Sequence, residues 1–451
     1  MTCVAFEESA LMQAFTIKLE VGMAFLKKIV PLWILTVLFV ITGCASNKIY
    51  RTDYTACVVS SVSQCDKHSL QKYNVDADNE YMLEFVEIDD QGQLRDRAQM
   101  TALINSLYQI AVNDSVLINV FVHGWHHNAA PGDPNIESFK GSLARLSKIE
   151  HDLSQTKHSA MRKVIGVYVG WPGESITIPG LNYLTFWDRK NTAQDVGHLG
   201  VTELLLNLEE IANVKNSLSP PIKSRLVVVG HSFGGAVVYS ATAQILASRF
   251  IDSQAGKRYV DSAKGFGDLV VLLNPAFEAL KYAPSYDLAQ ARCSYFDNQV
   301  PKLVILTSEA DYATKLAFPA GQTFSTFFET HGTIERNDCK YPLTLDEGAA
   351  DRSAVGHYLP LISHTLKPKE EQTQQMAVAS FVNMKNIWST QTKGGSTQFG
   401  STVLTHLNKT EPRNPYLNIR VDKELIADHN DVFGGRVMDF LRLLIELSIT
   451  D

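Results

Sequence analysis

The chain has 451 residues, 45% hydrophobic and 20% charged, which excludes a disordered or low-complexity protein and supplies enough apolar chain for one large, elaborated core. The formal net charge is −7, with no cluster of Lys and Arg and no basic stripe interleaved with aromatics, so nucleic acid is excluded as a partner on charge grounds.

From the N-terminus, Lys27-Lys28 precedes fifteen uncharged residues, Ile29 to Gly43, and then Cys44-Ala45-Ser46-Asn47. A basic segment, a short apolar run and small residues at its end read as an export signal, and the run is shorter than a bilayer-spanning helix. Ile41-Thr42-Gly43-Cys44 resembles the bacterial lipobox, a resemblance that implies cleavage before Cys44 and lipidation of its sulfur. Glu7, Glu8 and Glu20 do not suit a signal, so residues 1–22 read as an extension outside the mature protein and 23–43 as the signal peptide. The lipobox, with Ala45 after the Cys, implies anchoring in the bacterial envelope at the outer membrane. Export leaves Cys57, Cys65, Cys293 and Cys339, which permit two disulfides in three connectivities. Cys57–Cys65 closes a short loop, and Cys293–Cys339 is its complement.

Residues 44–76 are polar and Ser-rich and read as a lipidated tether, with the folded domain at 77–451. Tyr81 to Glu87 alternates as a strand, and Arg95 to Val112 has helical apolar spacing. Val116–Val122 is an apolar run of buried-strand length, followed by a helix near 136–153 and a strand at 164–169. After Gly170-Trp171-Pro172-Gly173 an insertion is expected at about 171–192, then a helix at 192–214. Leu226–Val229 is a strand, 235–250 a helix, and Leu269–Leu273 and Leu303–Leu306 are strands. Residues 312–415 lose the rhythm and read as a second insertion, covering the top of the sheet. Leu417–Val421 is the last strand and 433–448 an amphipathic closing helix. Apolar strands alternating with helices predict an α/β fold with a mostly parallel central sheet covered on both faces.

One motif carries chemistry. The strand Leu226–Val229 runs into Gly230-His231-Ser232-Phe233-Gly234-Gly235 at the start of a helix. A serine hydroxyl is a weak nucleophile unless it stands clear of the backbone beside a base and near oxyanion donors. A sharp strand-to-helix turn presents it in that way, with small residues needed on either side. Together with Val120-Phe121-Val122-His123-Gly124-Trp125 and Gly170-Trp171-Pro172-Gly173, this stretch resembles the α/β-hydrolase superfamily, and within it a poorly characterised bacterial group. The resemblance spans roughly 80–440 and implies the α/β-hydrolase fold with inserted cap segments.

It also implies a triad in the order Ser, acid, His: Ser232 as nucleophile, Asp311 as the acid after the strand Leu303–Leu306, and His429 in the last strand-to-helix loop. Glu309 and Glu278 are alternative acids, and His357 and His364 alternative bases. The backbone N–H groups of Phe233 and Trp125 are the implied oxyanion donors. His123, His126 and His127 lack a matching carboxylate pattern for zinc; His123 is expected to structure its loop and the other two to be solvated. Trp125 and Trp171 are expected either to line an acyl pocket or to pack in the core. The implied function is a serine hydrolase working through an acyl-enzyme on a small-molecule or lipid ester, with neither metal nor organic cofactor. Amidases, thioesterases and acyltransferases share this machinery. An envelope scaffold that keeps the fold without catalysis is the rival class.

Overall fold

The near-continuous apolar strands do assemble as a covered parallel sheet. The computed structural model describes residues 48–60, 65–74, 80–174, 186–255, 258–259, 261–326, 328–339, 341–369 and 384–449. The extension, the signal peptide, Cys44 and the Gly- and Pro-containing stretch 175–185 lie outside the described residues.

Strands β1 (Asp53–Val59), β2 (His68–Asn74) and β3 (Glu80–Glu87) come first, then helix α1 (Arg97–Asn113), β4 (Val116–Val122), α2 (Pro134–Lys157) and β5 (Lys163–Gly170). Next are α3 (Phe186–Gly197), α4 (Gly200–Ser217), β6 (Arg225–His231), α5 (Phe233–Asp252), β7 (Leu269–Leu273), α6 (Ala279–Gln290) and β8 (Leu303–Ser308). Beyond them lie α7 (Phe318–Ser325), the hairpin β9 (Thr333–Asp338) and β10 (Tyr341–Asp346), α8 (Glu347–Arg352) and β11 (His364–Pro368). The chain closes with α9 (Met384–Ser389), β12 (Ser396–Phe399), β13 (Thr402–His406), β14 (Tyr416–Val421) and α10 (Gly435–Ile449).

Twelve strands form one sheet in the order β1-β2-β3-β5-β4-β6-β7-β8-β14-β11-β13-β12. From β3 to β11 every neighbouring pair is parallel. Period-two alternation divides β4 between two cores: Val116, Ile118, Val120 and Val122 face α1, α4 and α5, whereas Leu117 and Phe121 face α2. The strands β7, β8 and β14 meet α10 on this second face through Phe440, Leu443, Leu444 and Leu447.

Three expectations are corrected. The tether is far shorter than 44–76, because β1 and β2 join the sheet edge, with Cys57–Cys65 tying β1 to the turn that precedes β2. The helix expected over 192–214 is two helices; Leu199 takes φ 52° between them, and a Cβ on Gly200 would lie 2.3 Å from the Gly92 carbonyl oxygen. The insertion 312–415 does not only cover the sheet: β11, β13 and β12 extend it beyond β14. The second disulfide, Cys293–Cys339, ties the β9–β10 hairpin to the end of α6, as the cysteine arithmetic expected.

One buried carboxyl makes stability depend on pH. Glu84 of β3 is 1% exposed; Ser106 donates to one oxygen at 2.7 Å, and the other has no partner among the described residues. Burial pushes its pKa up to about 8, against the lowering influence of Ser106. The folded state therefore holds a proton that the unfolded chain releases near 4.5, and this contribution to stability is lost as pH rises from about 4.5 to 8. Glu84→Gln should leave Tm close to wild type at pH 4.5 and raise it by about a few °C at pH 8, read by calorimetry across the window. A pH-independent difference would refute the assignment.

Candidate active site

The C-terminal ends of the parallel strands gather the expected residues. β6 turns into α5 through Ser232, which takes φ 56° and ψ −121°, a conformation that costs a non-glycine residue strain and is held by its surroundings. Its N–H donates to Leu273 O at 2.9 Å, and its carbonyl accepts from Gly235 and Ala276, each at 3.0 Å. The flanking glycines are steric necessities: a Cβ on Gly230 would come 2.4 Å from Gly234 O, and one on Gly234 would come 2.1 Å from Val122 O.

This crowding seats the loop after β4 against the serine. A Cβ on Gly124 would lie 2.7 Å from Ser232 Cβ. His123 fixes that loop, its Nδ1–H donating to Gly124 O at 2.8 Å while Nε2 accepts from Trp171 N at 3.0 Å. Burial pushes the His123 pKa down to about 4, so the ring stays in the neutral form this pattern requires. Trp171 is buried and stacks on His123 at 5.6 Å, in the core rather than an acyl pocket. Trp125 is half-buried and meets Phe186 edge-on at 5.2 Å. Phe233, as the first residue of α5, has its N–H ahead of the helical ladder at the positive end of the helix dipole.

Ser232, His429 and Asp311 form one hydrogen-bonded relay. Ser232 Oγ donates to His429 Nε2 at 2.7 Å, and His429 Nδ1–H donates to Asp311 Oδ1 at 2.8 Å. Asp311 is fully buried, and burial alone would raise its pKa strongly. The hydrogen bond and charge of His429, with the Thr314 hydroxyl and N–H, outweigh that and hold it below the usual carboxylate range. Behind the acid, His357 Nε2 donates to Thr314 Oγ1 at 2.9 Å, and the Thr314 hydroxyl donates to Asp311 Oδ2. Burial pushes the His357 pKa down to about 4, which keeps it a neutral donor.

The alternatives stand elsewhere. Glu309 pairs with Arg420 at 2.9 Å, and Glu278 with Lys190 at 2.5 Å. His364 opens β11, buried edge-on against His406, with Ser363 Oγ at 2.9 Å from its Nδ1. His126 is exposed, whereas His127, expected to be solvated, pairs with Asp133 at 3.0 Å.

Sequence reasoning missed the groups that hold His429. Its carbonyl oxygen accepts from His231 Nε2 and from Asn274 Nδ2, both at 2.9 Å. His231 is buried, and burial, followed by the nearby His429, pushes its pKa down to about 3, so it donates as a neutral imidazole. Asn274 takes φ 42° at the end of β7 and accepts from Ser308 N at 2.9 Å, tying β7, β8 and the His429 loop together. Ser308 Oγ donates to Ile426 O at 2.6 Å in the same loop. Asn274→Ala removes the link. In the serine-hydrolase reading, where placement of the imidazole sets the rate, kcat should fall by roughly 10- to 100-fold with KM little changed. Steady-state kinetics on a soluble ester measure this, and an unchanged kcat would remove Asn274 from a positioning role.

Compared with protein-family models, with curated proteins and with solved structures, the chain matches none of them.

Proposed function

We propose that this chain is a serine hydrolase of α/β-hydrolase type that cleaves carboxylic esters through an acyl-enzyme. The carrying observation is the relay from Ser232 through His429 to Asp311, at 2.7 and 2.8 Å, on the C-terminal ends of three parallel strands. In this reading His429 Nε2 takes the Ser232 proton as Oγ attacks the acyl carbon, and Asp311 steadies the imidazolium that forms. The oxyanion is received by the N–H groups of Phe233 and Trp125, a role supported by the helix start at Phe233 and the close approach of Gly124 to Ser232. His429 then protonates the leaving alcohol. Water, deprotonated by the same imidazole, cleaves the acyl–serine bond and releases the acid.

The lipobox reading places the enzyme in the bacterial envelope, anchored through lipidated Cys44 at the outer membrane. No helix of the described residues is long and apolar enough to cross a membrane. Loss of metabolic palmitate labelling in Cys44→Ser is the expected result; a labelled variant would reject the anchor.

The hydrolase reading is tested by incubating the purified protein with a fluorophosphonate probe and with p-nitrophenyl butyrate. Covalent labelling and release of p-nitrophenol are expected. Absence of both would favour the scaffold reading.

A further inference from the structure

The polypeptide enters the sheet at the end where the candidate site lies. β2 is antiparallel to β3, and β1 is parallel to β2, so β1 begins at the edge where β4, β6, β8 and β14 finish. Those strands deliver Gly124, Ser232, Asp311 and the His429 loop to the same edge.

The entry point is firmly held. Tyr50 N and Arg51 N donate to the Glu87 carboxylate at the end of β3, at 3.0 and 2.9 Å. The Arg51 side chain, 3% exposed, donates through Nε to Ala129 O at 2.9 Å, in the loop that follows Gly124 and Trp125. Gln99 Nε2 in turn donates to Arg51 O at 3.0 Å. Three strand spacings separate β3 from β6, about 14 Å across the sheet. Only six residue steps connect Cys44 to Tyr50, an extended reach of about 20 Å. A lipid on Cys44 would then be joined to the folded chain at this end of the sheet.

The same end exposes apolar side chains beside the acid. Tyr312, the residue after Asp311, is 64% exposed, and Leu316 one turn later is 62% exposed. Large apolar groups set at the rim of a site and facing a nearby lipid surface gain by inserting into it.

We propose that the end of the sheet bearing Ser232 faces the bilayer that holds Cys44, and that the ester hydrolysed is one whose acyl chain lies in that bilayer. This rests on the serine hydrolase reading and on lipidation of Cys44. The step is the hydrolysis already described: the acyl–oxygen bond breaks, one water is consumed, and a fatty acid and an alcohol leave.

The test uses the full, processed lipoprotein reconstituted on vesicles of phosphatidylethanolamine and phosphatidylglycerol. A photo-crosslinking phenylalanine analogue replaces Leu316 in one variant and Leu218 in another; Leu218 is 71% exposed and follows α4 at the opposite end of the strands. Phospholipid adducts are expected at position 316 and not at 218. Equal or reversed crosslinking, or failure to bind the vesicles, overturns the orientation.

A second variant lengthens the tether by about twenty Gly and Ser residues between Asn47 and Lys48, which lowers the effective concentration of the site at the surface by roughly five- to tenfold. Turnover of p-nitrophenyl palmitate embedded in the vesicles should fall by that factor, while turnover of soluble p-nitrophenyl butyrate stays unchanged. Equal palmitate rates with either tether overturn the substrate assignment. Adducts at 316 with neither ester cleaved would show that the hydrolase reading has failed, and the substrate assignment with it, while the orientation stands.

Discussion

Replacing Ser232 by Ala is expected to abolish fluorophosphonate labelling and to lower ester turnover by about 10⁴- to 10⁶-fold. The hydroxyl is the group that faces His429 Nε2, at 2.7 Å, and its backbone is held at φ 56° by bonds that the substitution leaves intact. Alanine keeps the strained backbone and removes one oxygen from a side chain only 3% exposed, so the Tm should move by about 1–2 °C or less. Activity and stability thus separate cleanly in this variant. Undiminished labelling would place the reactive serine elsewhere and dissolve the relay as an active site.

The parts of the fold that sequence patterning made legible are those buried on both faces. Val116–Val122 and Leu269–Leu273 are wholly buried, and a strand covered on both sides can be written almost entirely in apolar residues. The edges were not legible for the converse reason. β1 leaves Thr55 and Ala56 exposed, and β11 is His-Thr-Leu-Lys-Pro, short and half-polar, so neither stands out from a loop. Ser232, Asp311 and His429, which the structure brings into one hydrogen-bonded chain, were legible as candidates because each follows a recognisable strand.

The supporting groups answer to no such local signal. His231 and Asn274 meet His429 through a backbone carbonyl some 150 to 200 positions along the chain, which leaves no spacing to read. Two faint clues were present. A histidine at the end of a buried strand needs a partner for its N–H. An Asn at a strand end, as in Leu273-Asn274, is one of the few side chains that tolerate the left-handed φ of 42° taken there.

His429→Gln should reduce turnover about as deeply as Ser232→Ala, because nucleophile and base act as a unit. Glutamine fills similar space and can still hydrogen-bond Ser232, yet its amide cannot accept a proton near neutral pH, so the loss reports proton transfer rather than packing. Asp311→Asn should cost about 10⁴-fold in kcat. An amide in place of the Oδ1 that accepts His429 Nδ1–H at 2.8 Å favours the wrong imidazole tautomer, leaving a proton on Nε2 where a lone pair must face Ser232. His357 makes the comparison informative. It reaches the acid only through the Thr314 hydroxyl, so His357→Gln, which can still donate to Thr314 Oγ1, should retain most of the turnover. His364→Gln, remote on β11 beside His406, should affect stability more than rate. The order expected from single-turnover kinetics is therefore His429→Gln lowest, Asp311→Asn next, and both remaining variants near wild type. A dead His357→Gln beside an active His429→Gln would move the base from the last strand-to-helix loop to the segment between α8 and β11, and with it the direction in which the Ser232 proton leaves.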